Sequence, residues 1–348
     1  MNVLVVGDHF IPAADFRRAL TDVLGSEVAV REVTWAGASK EEQHAVQQVM
    51  EKEGPEAVPT AQEVVDAVGD AEVLAVHFAP VSEKVLAAGS RLRAVVVARA
   101  GVENVNVEEA TQRGVAVVNL VGRNANAVAE QAVGLMLAEA RDLARADAGI
   151  KGGAWPEESA GPVVELHGRT VGVVGFGQVG RRVAERLAGF NTRILVYDPY
   201  VDAAEMRSRG AEKVDDIERV FREGDFVLLH ARLTDETRRF IDRSLFELMT
   251  PTAYFINNAR SRMVDYDALY EILAEGRIAG AALDVHEDEP LPADSPWRRL
   301  DNVTLTPHIA GSTEETLENS VRLVAEAVAE IAASGQATNT VNPPAAKR

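Results

Sequence analysis

Three ionisable residues in the second half of the chain are of the types that proton transfer to a small carboxylic acid requires. Arg260 offers a planar guanidinium group that can hold a carboxylate through two hydrogen bonds. His308 can exchange a proton near neutral pH, and a carboxylate such as Glu289 beside it would favour its charged form. Beside a hydride carrier, these residue types indicate chemistry that interconverts a 2-oxo acid and its 2-hydroxy acid.

Each of these residues also has a purely structural explanation. Arg260 could form a surface ion pair, Glu289 could be one more member of an acidic run, and His308 could be packed in a core. Their joint position favours the catalytic interpretation. Each follows a predicted strand, and in an open parallel sheet ligands bind beyond the carboxyl ends of the strands.

A glycine-rich turn between a predicted strand and a predicted helix is the second chemical feature. Gly175, Gly177 and Gly180 form the pattern G-x-G-x-x-G directly after the apolar run from Thr170 to Val174. Such a turn allows a tight bend, close approach of a pyrophosphate and close packing of helix on strand. Asp198 ends the next predicted strand. Its carboxylate would accept hydrogen bonds from the ribose hydroxyls of the cofactor, and its negative charge would repel a 2′-phosphate. The pattern therefore predicts NAD rather than NADP as the cofactor.

The elements that must position these groups form two series of alternating strands and helices. The first series has apolar runs at 3–6, 28–33, 73–76, 94–98 and 115–119, and the second has them at 170–174, 193–197, 226–229, 253–257, 278–283 and 303–305. Helical patterns lie between the runs, including one long helix over 124–148 and a final helix over 314–334. This alternation predicts the α/β class with two doubly wound parallel-sheet domains.

Some segments do not fit this alternation. Residues 40–60 are charged and polar and include two prolines, which indicates an exposed helix and linker inserted in the first domain. The tail 336–348, with Pro343 and Pro344, is expected to be loose. Trp155 is expected to pack rather than to bind a ligand.

The amino-acid composition of the chain argues against several classes of binding partner. In 348 residues, 36 basic and 54 acidic side chains give a net charge of −18, which argues against nucleic acid or an anionic membrane as partner. The chain has no cysteine, so disulfides, thiolate nucleophiles and thiolate metal ligands are excluded, and no metal site is expected. Its beginning does not read as a signal peptide and no apolar run is long enough to span a membrane, so a cytoplasmic location is expected.

The sequence resembles the NAD-dependent D-isomer-specific 2-hydroxyacid dehydrogenases, especially members similar to D-3-phosphoglycerate dehydrogenase. The resemblance covers nearly the whole chain and rests on the runs GRNANAVAEQAVGLML from Gly122, VGVVGFGQVG from Val171, HARLTDETR from His230, INNARSRMVD from Ile256, LDVHEDEPLP from Leu283 and TPHIAGST from Thr306. It implies a Rossmann NAD-binding domain, residues 122–309, inserted into a flavodoxin-like substrate domain formed by residues 1–121 and 310–348. It also implies a homodimer and catalysis in a cleft between the two domains.

The resemblance also implies roles for individual residues. The catalytic residues it implies are Arg260, Glu289 and His308. The cofactor-binding residues it implies are Gly175, Gly177, Gln178, Val179, Gly180, Asp198, His230, Ala259, Asp284, His308 and Gly311, with Asp284 receiving the nicotinamide carboxamide. The substrate would be held by Arg260, by His308 and by the loop Arg99, Ala100 and Gly101.

Several positions depart from the family pattern. Ser261 and Arg262 follow the catalytic arginine where a glycine is usual at the first position, and Arg232 replaces a usual proline. These changes leave the catalytic triplet intact but alter the expected charge of the substrate pocket. Residues whose part in that pocket stays open are Arg99, Arg123 and Arg262, which could bind a second anion or pair with carboxylates, and Asp8, His9, His77 and Phe78, which could line it.

The sequence thus predicts an NAD-dependent oxidoreductase that interconverts a D-2-hydroxy acid, phosphorylated or not, and its 2-oxo acid. The alternative is an NADH-sensing, corepressor-like binding protein on the same fold, whose output is partner binding. A likeness to formate dehydrogenase is disfavoured because Glu289 stands where that branch pairs a glutamine with its histidine.

Overall fold

The computed structural model describes residues 1–155 and 161–343. Contacts within the chain divide it into two compact units, Met1–Arg123 with Thr313–Arg348, and Asn124–Ser312. Among the described residues, no helix combines the length and the apolar character needed to cross a bilayer.

The first unit is built on a parallel sheet of the strands β1 (Asn2–Gly7), β2 (Ala29–Thr34), β3 (Val73–Val76), β4 (Ala94–Val97) and β5 (Ala116–Asn119). Its helices α1 to α5 are Ala13–Leu24, Lys40–Glu53, Gln62–Ala67, Glu83–Ala88 and Val107–Gln112. The strand order β2-β1-β3-β4-β5 is that of flavodoxin-like sheets. Alternate residues of the inner strands enter two separate cores, one on each face, so these strands are apolar throughout.

The second unit is built on a longer parallel sheet. Its strands β6 to β12 are Thr170–Val174, Arg193–Tyr197, Ala211–Val214, Phe226–Leu229, Tyr254–Asn257, Gly280–Leu283 and Val303–Leu305. Its helices α6 to α12 are Ala125–Ala140, Leu143–Lys151, Gln178–Leu187, Ala203–Ser208, Ile217–Glu223, Arg243–Phe246 and Tyr266–Ala274. The order β12-β11-β10-β9-β6-β7-β8 reverses direction between β6 and β9, as in doubly wound nucleotide-binding sheets.

The prediction of two parallel-sheet α/β domains is confirmed, but the sequence missed β8. Ala211 and Val214 at its ends are buried, whereas Glu212 and Lys213 between them are only partly buried. The strand lies at the edge of the sheet, where it pairs with β7 alone. A four-residue edge strand with a polar centre lacks the apolar run by which the other strands were recognised.

The single long helix predicted over 124–148 is wrong, because the chain bends between α6 and α7. Asp142 has a left-handed backbone with φ of 55°. Arg145 on α7 forms ion pairs with Asp142 and with the fully buried carboxylate of Glu139 on α6, which fixes the bend. Trp155, beyond α7, is 79% exposed, so the expectation that it packs is also wrong.

The last helix, α13 (Glu314–Ser334), returns to the first unit and packs against α1. The Thr313 hydroxyl caps its start by accepting a hydrogen bond from the Thr316 amide. The next residues are not loose, as the sequence suggested, because Thr340 bridges Val118 in antiparallel fashion and the Val341 amide donates to the Val117 carbonyl. Pro344 and the rest of the predicted tail lie outside the described residues.

The inserted segment 40–60 is anchored more firmly than its polar composition suggested. Met50 of α2 is buried in the first unit. The buried Gln43 side chain accepts a hydrogen bond from the His9 amide, and Glu51 forms an ion pair with Arg99. Helix α2 therefore covers the loops that follow β1 and β4.

Candidate active site

The glycine turn after β6 has the backbone that its sequence predicted. Gly175 has φ of 96°, a left-handed conformation that favours glycine, and a Cβ atom there would lie 2.5 Å from the Ala231 nitrogen. A Cβ atom at Gly180 would collide with the Gly175 carbonyl oxygen. At Gly177 a Cβ atom would meet nothing, so the backbone there is open to a ligand. Because α8 begins directly after Gly177, its free amides and dipole favour an anion at this position.

Asp198, at the end of β7, is tied to this turn. Its Oδ2 atom accepts a hydrogen bond of 2.7 Å from the Phe176 amide inside the glycine turn, and Oδ1 accepts from the amides of Tyr200 and Val201. The carboxylate is only partly buried, so its remaining lone pairs are accessible to ribose hydroxyls. Gln178 and Val179 occupy the first turn of α8.

His230, which follows β9, is partly buried, and both nitrogens of its ring are inaccessible to solvent. Within the described part of the chain neither of its ring nitrogens has a hydrogen-bond partner. Burial lowers its pKa to about 4, so the imidazole is neutral at physiological pH. An imidazole whose buried nitrogens lack partners, next to an open glycine turn backed by a carboxylate, fits a nucleotide cofactor such as NAD, which would supply the missing hydrogen bonds.

Arg260 lies on a rigid turn after β10. The Asn257 side chain accepts from the Ala259 amide at 3.0 Å and donates to the Arg260 carbonyl at 3.3 Å. The turn is thus fixed by a buried residue, while the Arg260 side chain is exposed and donates only to the Ala259 carbonyl among the described residues. Arg262, in the same turn, and Arg232, after β9, are also exposed.

His308 and Glu289 form a direct pair, with Nδ1–H of His308 donating to Oε2 of Glu289 at 2.8 Å. The other carboxylate oxygen accepts from the His286 amide at 2.9 Å. The hydrogen bond to Glu289 raises the pKa of His308 above its usual value, although partial burial and the nearby charge of Arg260 act in the opposite direction. Burial by itself would raise the pKa of Glu289, but the interaction with His308 holds it below its usual value. The structure therefore brings Arg260, Glu289 and His308 together in one unit.

Asp284 holds the turn that carries His308. Its fully buried carboxylate accepts hydrogen bonds from the Thr306 hydroxyl, the Gln131 amide group and the backbone amides of Ile309 and Ala310, at distances of 2.6 to 3.1 Å. These donors lie on both sides of His308, whose backbone is left-handed with φ of 54°. The structure thus gives Asp284 a positioning task, and its contact with a nicotinamide carboxamide stays a prediction.

Several residues that shape this site were not predicted from the sequence. Asn257 fixes the Arg260 turn, and Gln131 and Thr306 complete the hydrogen bonds of Asp284. Gln131 is a polar residue within the apolar helix α6, which was the available signal. Gly311 lies so close to Asn124 that a Cβ atom there would collide with the Asn124 side chain, which explains the glycine on packing grounds.

The remaining predicted substrate residues, Arg99, Ala100 and Gly101, follow β4 in the first unit. The Ala100 carbonyl accepts from the Asn119 side chain at 2.5 Å, so the start of this loop is fixed. Arg99 forms an ion pair with Glu51. Of the four residues expected to line a pocket, Asp8 and His77 are buried and form a pair, and the Phe78 ring packs against His77 at a tilt of 50°. His9 donates from Nε2–H to the Gly37 carbonyl oxygen.

Fold and site together define an α/β protein with a dinucleotide-binding domain and an arginine, histidine and carboxylate beyond its strands. Residues 133–310 match the family model described as "D-isomer specific 2-hydroxyacid dehydrogenase, NAD binding domain". The chain belongs to this family, and the second unit contains its NAD-binding domain.

Similar proteins carry several names within this family. The chain is 41% identical over 286 residues to a D-3-phosphoglycerate dehydrogenase of Methanocaldococcus jannaschii, covering 82% of this chain and 54% of that protein. It is 37% identical over 301 residues to a glyoxylate reductase of Korarchaeum cryptofilum, and this alignment covers 85% of this chain and 89% of that protein. A D-lactate dehydrogenase structure from Aquifex aeolicus, complexed with NAD and lactic acid, aligns with a TM-score of 0.70 and 25% identity over 99% and 100% of the two chains. The chain spans about half the length of the phosphoglycerate dehydrogenase it matches.

Proposed function

We propose that this chain is an NAD-dependent oxidoreductase that interconverts a D-2-hydroxy acid and its 2-oxo acid. The observation that carries the proposal is the hydrogen bond of 2.8 Å between His308 and Glu289, with the charge of Arg260 close to the imidazole. The names of similar proteins support this reaction class. They differ in the acid that they name, so the proposal is limited to the class of acid.

In the proposed mechanism Arg260 holds the substrate carboxylate. Its guanidinium forms no ion pair within the described residues, and the donors that do not bond the Ala259 carbonyl can reach an anionic substrate. The turn fixed by Asn257 holds the arginine in place before the substrate arrives, which reduces the entropy lost on binding.

His308 exchanges the proton of the substrate hydroxyl. Its Nδ1–H is bonded to Glu289, so Nε2 is the atom that accepts the proton in oxidation and returns it in reduction. Glu289 orients the ring and stabilises the imidazolium form. The hydride would be exchanged with the nicotinamide of a bound NAD, which would accept it in oxidation and, as NADH, supply it in reduction.

The residues that would hold NAD are the glycine turn 175–180, Asp198 and His230. Asp198 would accept hydrogen bonds from the adenosine ribose, and its negative charge disfavours a 2′-phosphate. Ala259 and Gly311 stay predicted contacts of the cofactor.

We also propose that the working form is a homodimer. Leu143 and Ile150 of α7 and Val163 are large apolar side chains with about half of their surface exposed, and a second copy of the chain would cover them. Light scattering coupled to size-exclusion chromatography should give twice the mass of 37.4 kDa. A monomer mass at micromolar concentration would contradict this proposal.

The test of the reaction is turnover by the purified full chain. NADH absorbance is followed with a panel of 2-oxo acids, and NAD⁺ reduction with the D and L forms of the matching 2-hydroxy acids. We expect turnover of at least one acid, D over L, and NADH over NADPH. Tight NADH binding without turnover of any acid would overturn the proposal and favour a nucleotide-sensing binding protein.

A further inference from the structure

A buried tyrosine connects the two segments of the second unit that carry Arg260 and Glu289. These segments follow β10 and β11, whose pairing ends where the Asp284 amide donates to the Asn257 carbonyl at 2.9 Å. Beyond that point, in the described part of the chain, no hydrogen bond joins one segment directly to the other. The hydroxyl of Tyr266, the first residue of α12, makes the connection.

The tyrosine hydroxyl accepts one hydrogen bond and donates another. Its Oη atom accepts from Nδ2 of Asn257 at 3.3 Å and donates to the Val285 carbonyl at 2.5 Å. Tyr266, Asn257 and Val285 are each at most 2% exposed, so water does not compete for either bond. Burial raises the pKa of the Tyr266 hydroxyl above its usual value, so the hydroxyl keeps the proton that it donates.

On one side of the hydroxyl, the side-chain amide of Asn257 holds the turn of Arg260. Its Oδ1 atom accepts from the Ala259 amide at 3.0 Å, and its Nδ2 atom donates to the Arg260 carbonyl at 3.3 Å as well as to Tyr266. An amide is planar and carries two N–H donors, so a single rigid group makes all three contacts. The Tyr266 oxygen therefore has a fixed position relative to the backbone of Arg260.

On the other side, one peptide plane connects the tyrosine to Glu289. The Val285 carbonyl that accepts from Tyr266 and the amide of His286 belong to the same planar peptide group. That amide donates to Glu289 Oε1 at 2.9 Å, and Glu289 Oε2 accepts from His308 Nδ1–H at 2.8 Å. A rotation of this peptide plane would therefore move the carboxylate that holds His308.

The tyrosine ring is itself held in place. Asp265 caps α12 by accepting a hydrogen bond from the Ala268 amide at 3.1 Å, which fixes the first turn of the helix. The ring of Tyr266 meets Trp297 edge to face, with the centroids 5.4 Å apart. Tyr270, one turn further along α12, meets the same tryptophan at 5.3 Å, but its hydroxyl forms no hydrogen bond within the described residues. Tyr270 thus has the same ring contact without the connection.

We propose that Tyr266 is a positioning residue whose hydroxyl holds the turn of Arg260 in a fixed relation to the pair of Glu289 and His308. The inference rests on the proposed function, in which Arg260 holds the substrate carboxylate and His308 exchanges the hydroxyl proton. The transition state needs both groups in place at once, whereas binding of the carboxylate needs Arg260 alone. Loss of the hydroxyl should therefore lower kcat and leave KM nearly unchanged.

The test compares two tyrosines of one helix in the full chain. Tyr266→Phe removes the connecting hydroxyl but keeps the ring and its packing on Trp297, so the variant should fold, and Tyr270→Phe is the matched control. With a 2-oxo acid that the unmodified chain reduces, kcat is divided by the number of sites that bind NADH, so that unfolded protein is not counted. We expect kcat to fall about tenfold or more in Tyr266→Phe, with KM for the acid changed less than about threefold. Tyr270→Phe should match the unmodified chain.

A second measurement does not depend on turnover. The midpoint of the His308 ring titration is followed by NMR, with assignment from His308→Gln. The charged groups that act on this ring are Glu289, Arg260 and Asp284, and neither tyrosine variant changes them. Because the freed peptide plane no longer aligns Glu289 with His308, the midpoint should fall by about 0.5 or more in Tyr266→Phe. It should stay unchanged in the control variant.

The two measurements separate failure of the inference from failure of the proposed function. An unchanged kcat in Tyr266→Phe, or equal losses of kcat in Tyr266→Phe and Tyr270→Phe, would overturn the inference and leave the function standing. Turnover of no acid by the unmodified chain would contradict the proposed function, and the titration midpoint would then decide the inference alone. A fall of that midpoint in Tyr266→Phe would support the positioning of the pair, and an unchanged midpoint would overturn it.

Discussion

Each unit contains a histidine whose Nδ1 is bonded to a carboxylate, and the two pairs have nearly the same geometry. The distance is 2.8 Å between His308 and Glu289 and 2.9 Å between His77 and Asp8. Their pKa values are nevertheless shifted in opposite directions. The pKa of His308 is raised, whereas the pKa of His77 is lowered to about 4.

Burial accounts for the difference. The His77 side chain is 2% exposed, so removal from water outweighs the attraction of Asp8, and the charges of Arg123 and Arg99 lower its pKa further. The His308 side chain is 40% exposed, and the carboxylate of Glu289 outweighs its partial desolvation. Of these two histidines, His308, which water still reaches, is therefore the one suited to exchange protons.

The largest effect should follow removal of the imidazole that carries protons. His308→Ala should lower kcat/KM by about 10³-fold, because general acid and base catalysis contributes roughly 10²- to 10⁴-fold. NADH binding, followed by fluorescence, should persist. The control is His44→Ala, since His44 is an exposed residue of α2 and belongs to neither pair. Near-normal turnover in His308→Ala would break the assignment of roles.

Low pH should lower the free energy of unfolding through the pair of His77 and Asp8 in the first unit. Because the native state keeps His77 neutral, its contribution to stability is complete above the unfolded pKa of 6.5 and is lost as the pH falls toward about 4. A shift of this size corresponds to about 3 kcal/mol of the free energy of unfolding. NMR titration should show His77 neutral at pH 5.5. Titration of His77 above pH 6.5 would contradict the comparison.

The buried carboxylate of Asp284 should matter for position rather than for charge. Asp284→Asn replaces one acceptor oxygen by an amino group that faces existing donors, which should cost about 2 kcal/mol in the urea-measured free energy of unfolding. The variant should also lower kcat, because the donors lie on both sides of His308. The control is Asp267→Asn, where the carboxylate is 88% exposed. Equal free energies of unfolding for the two variants would show that Asp284 does not hold the turn that carries His308.

The smallest effect concerns the carboxylate partner of His308. Glu289→Gln removes the charge that raises the pKa of His308, so that pKa should fall. Reduction needs the protonated ring, so its rate should decline at a lower pH than in the unmodified protein. Oxidation needs the neutral ring, so its activity should persist to a lower pH. Profiles of kcat/KM against pH in both directions check this, and unchanged profiles would show that Glu289 does not control the ring.

The fold could be predicted from the sequence wherever strands are buried on both faces. Such strands are continuous apolar runs, whereas β8, the strand that was missed, has Glu212 and Lys213 at its centre. The bend at Asp142 could not be predicted, because it depends on an ion pair between Arg145 and the buried Glu139, and composition alone favours an unbroken helix.

The reactive groups of the candidate site could be predicted from the sequence, but the residues that hold them in place could not. Arg260, Glu289 and His308 stand at the ends of predicted strands, where the parallel sheet must gather them. The hydrogen bonds from Gln131 and Thr306 to Asp284 join segments far apart in the chain, and no local pattern records such contacts. The unequal burial of the two histidines is likewise a tertiary property.

The pairing of Thr340 and Val341 with β5 has a consequence for handling this protein. Strand β5 is the last in its sheet, and without that short segment its backbone groups would be open to edge-to-edge association with another molecule. Removing the residues after α13 would therefore leave the outer backbone edge of β5 unpaired and promote aggregation. Affinity tags are better attached at the N-terminus, so that the pairing of Thr340 and Val341 with β5 is not disturbed.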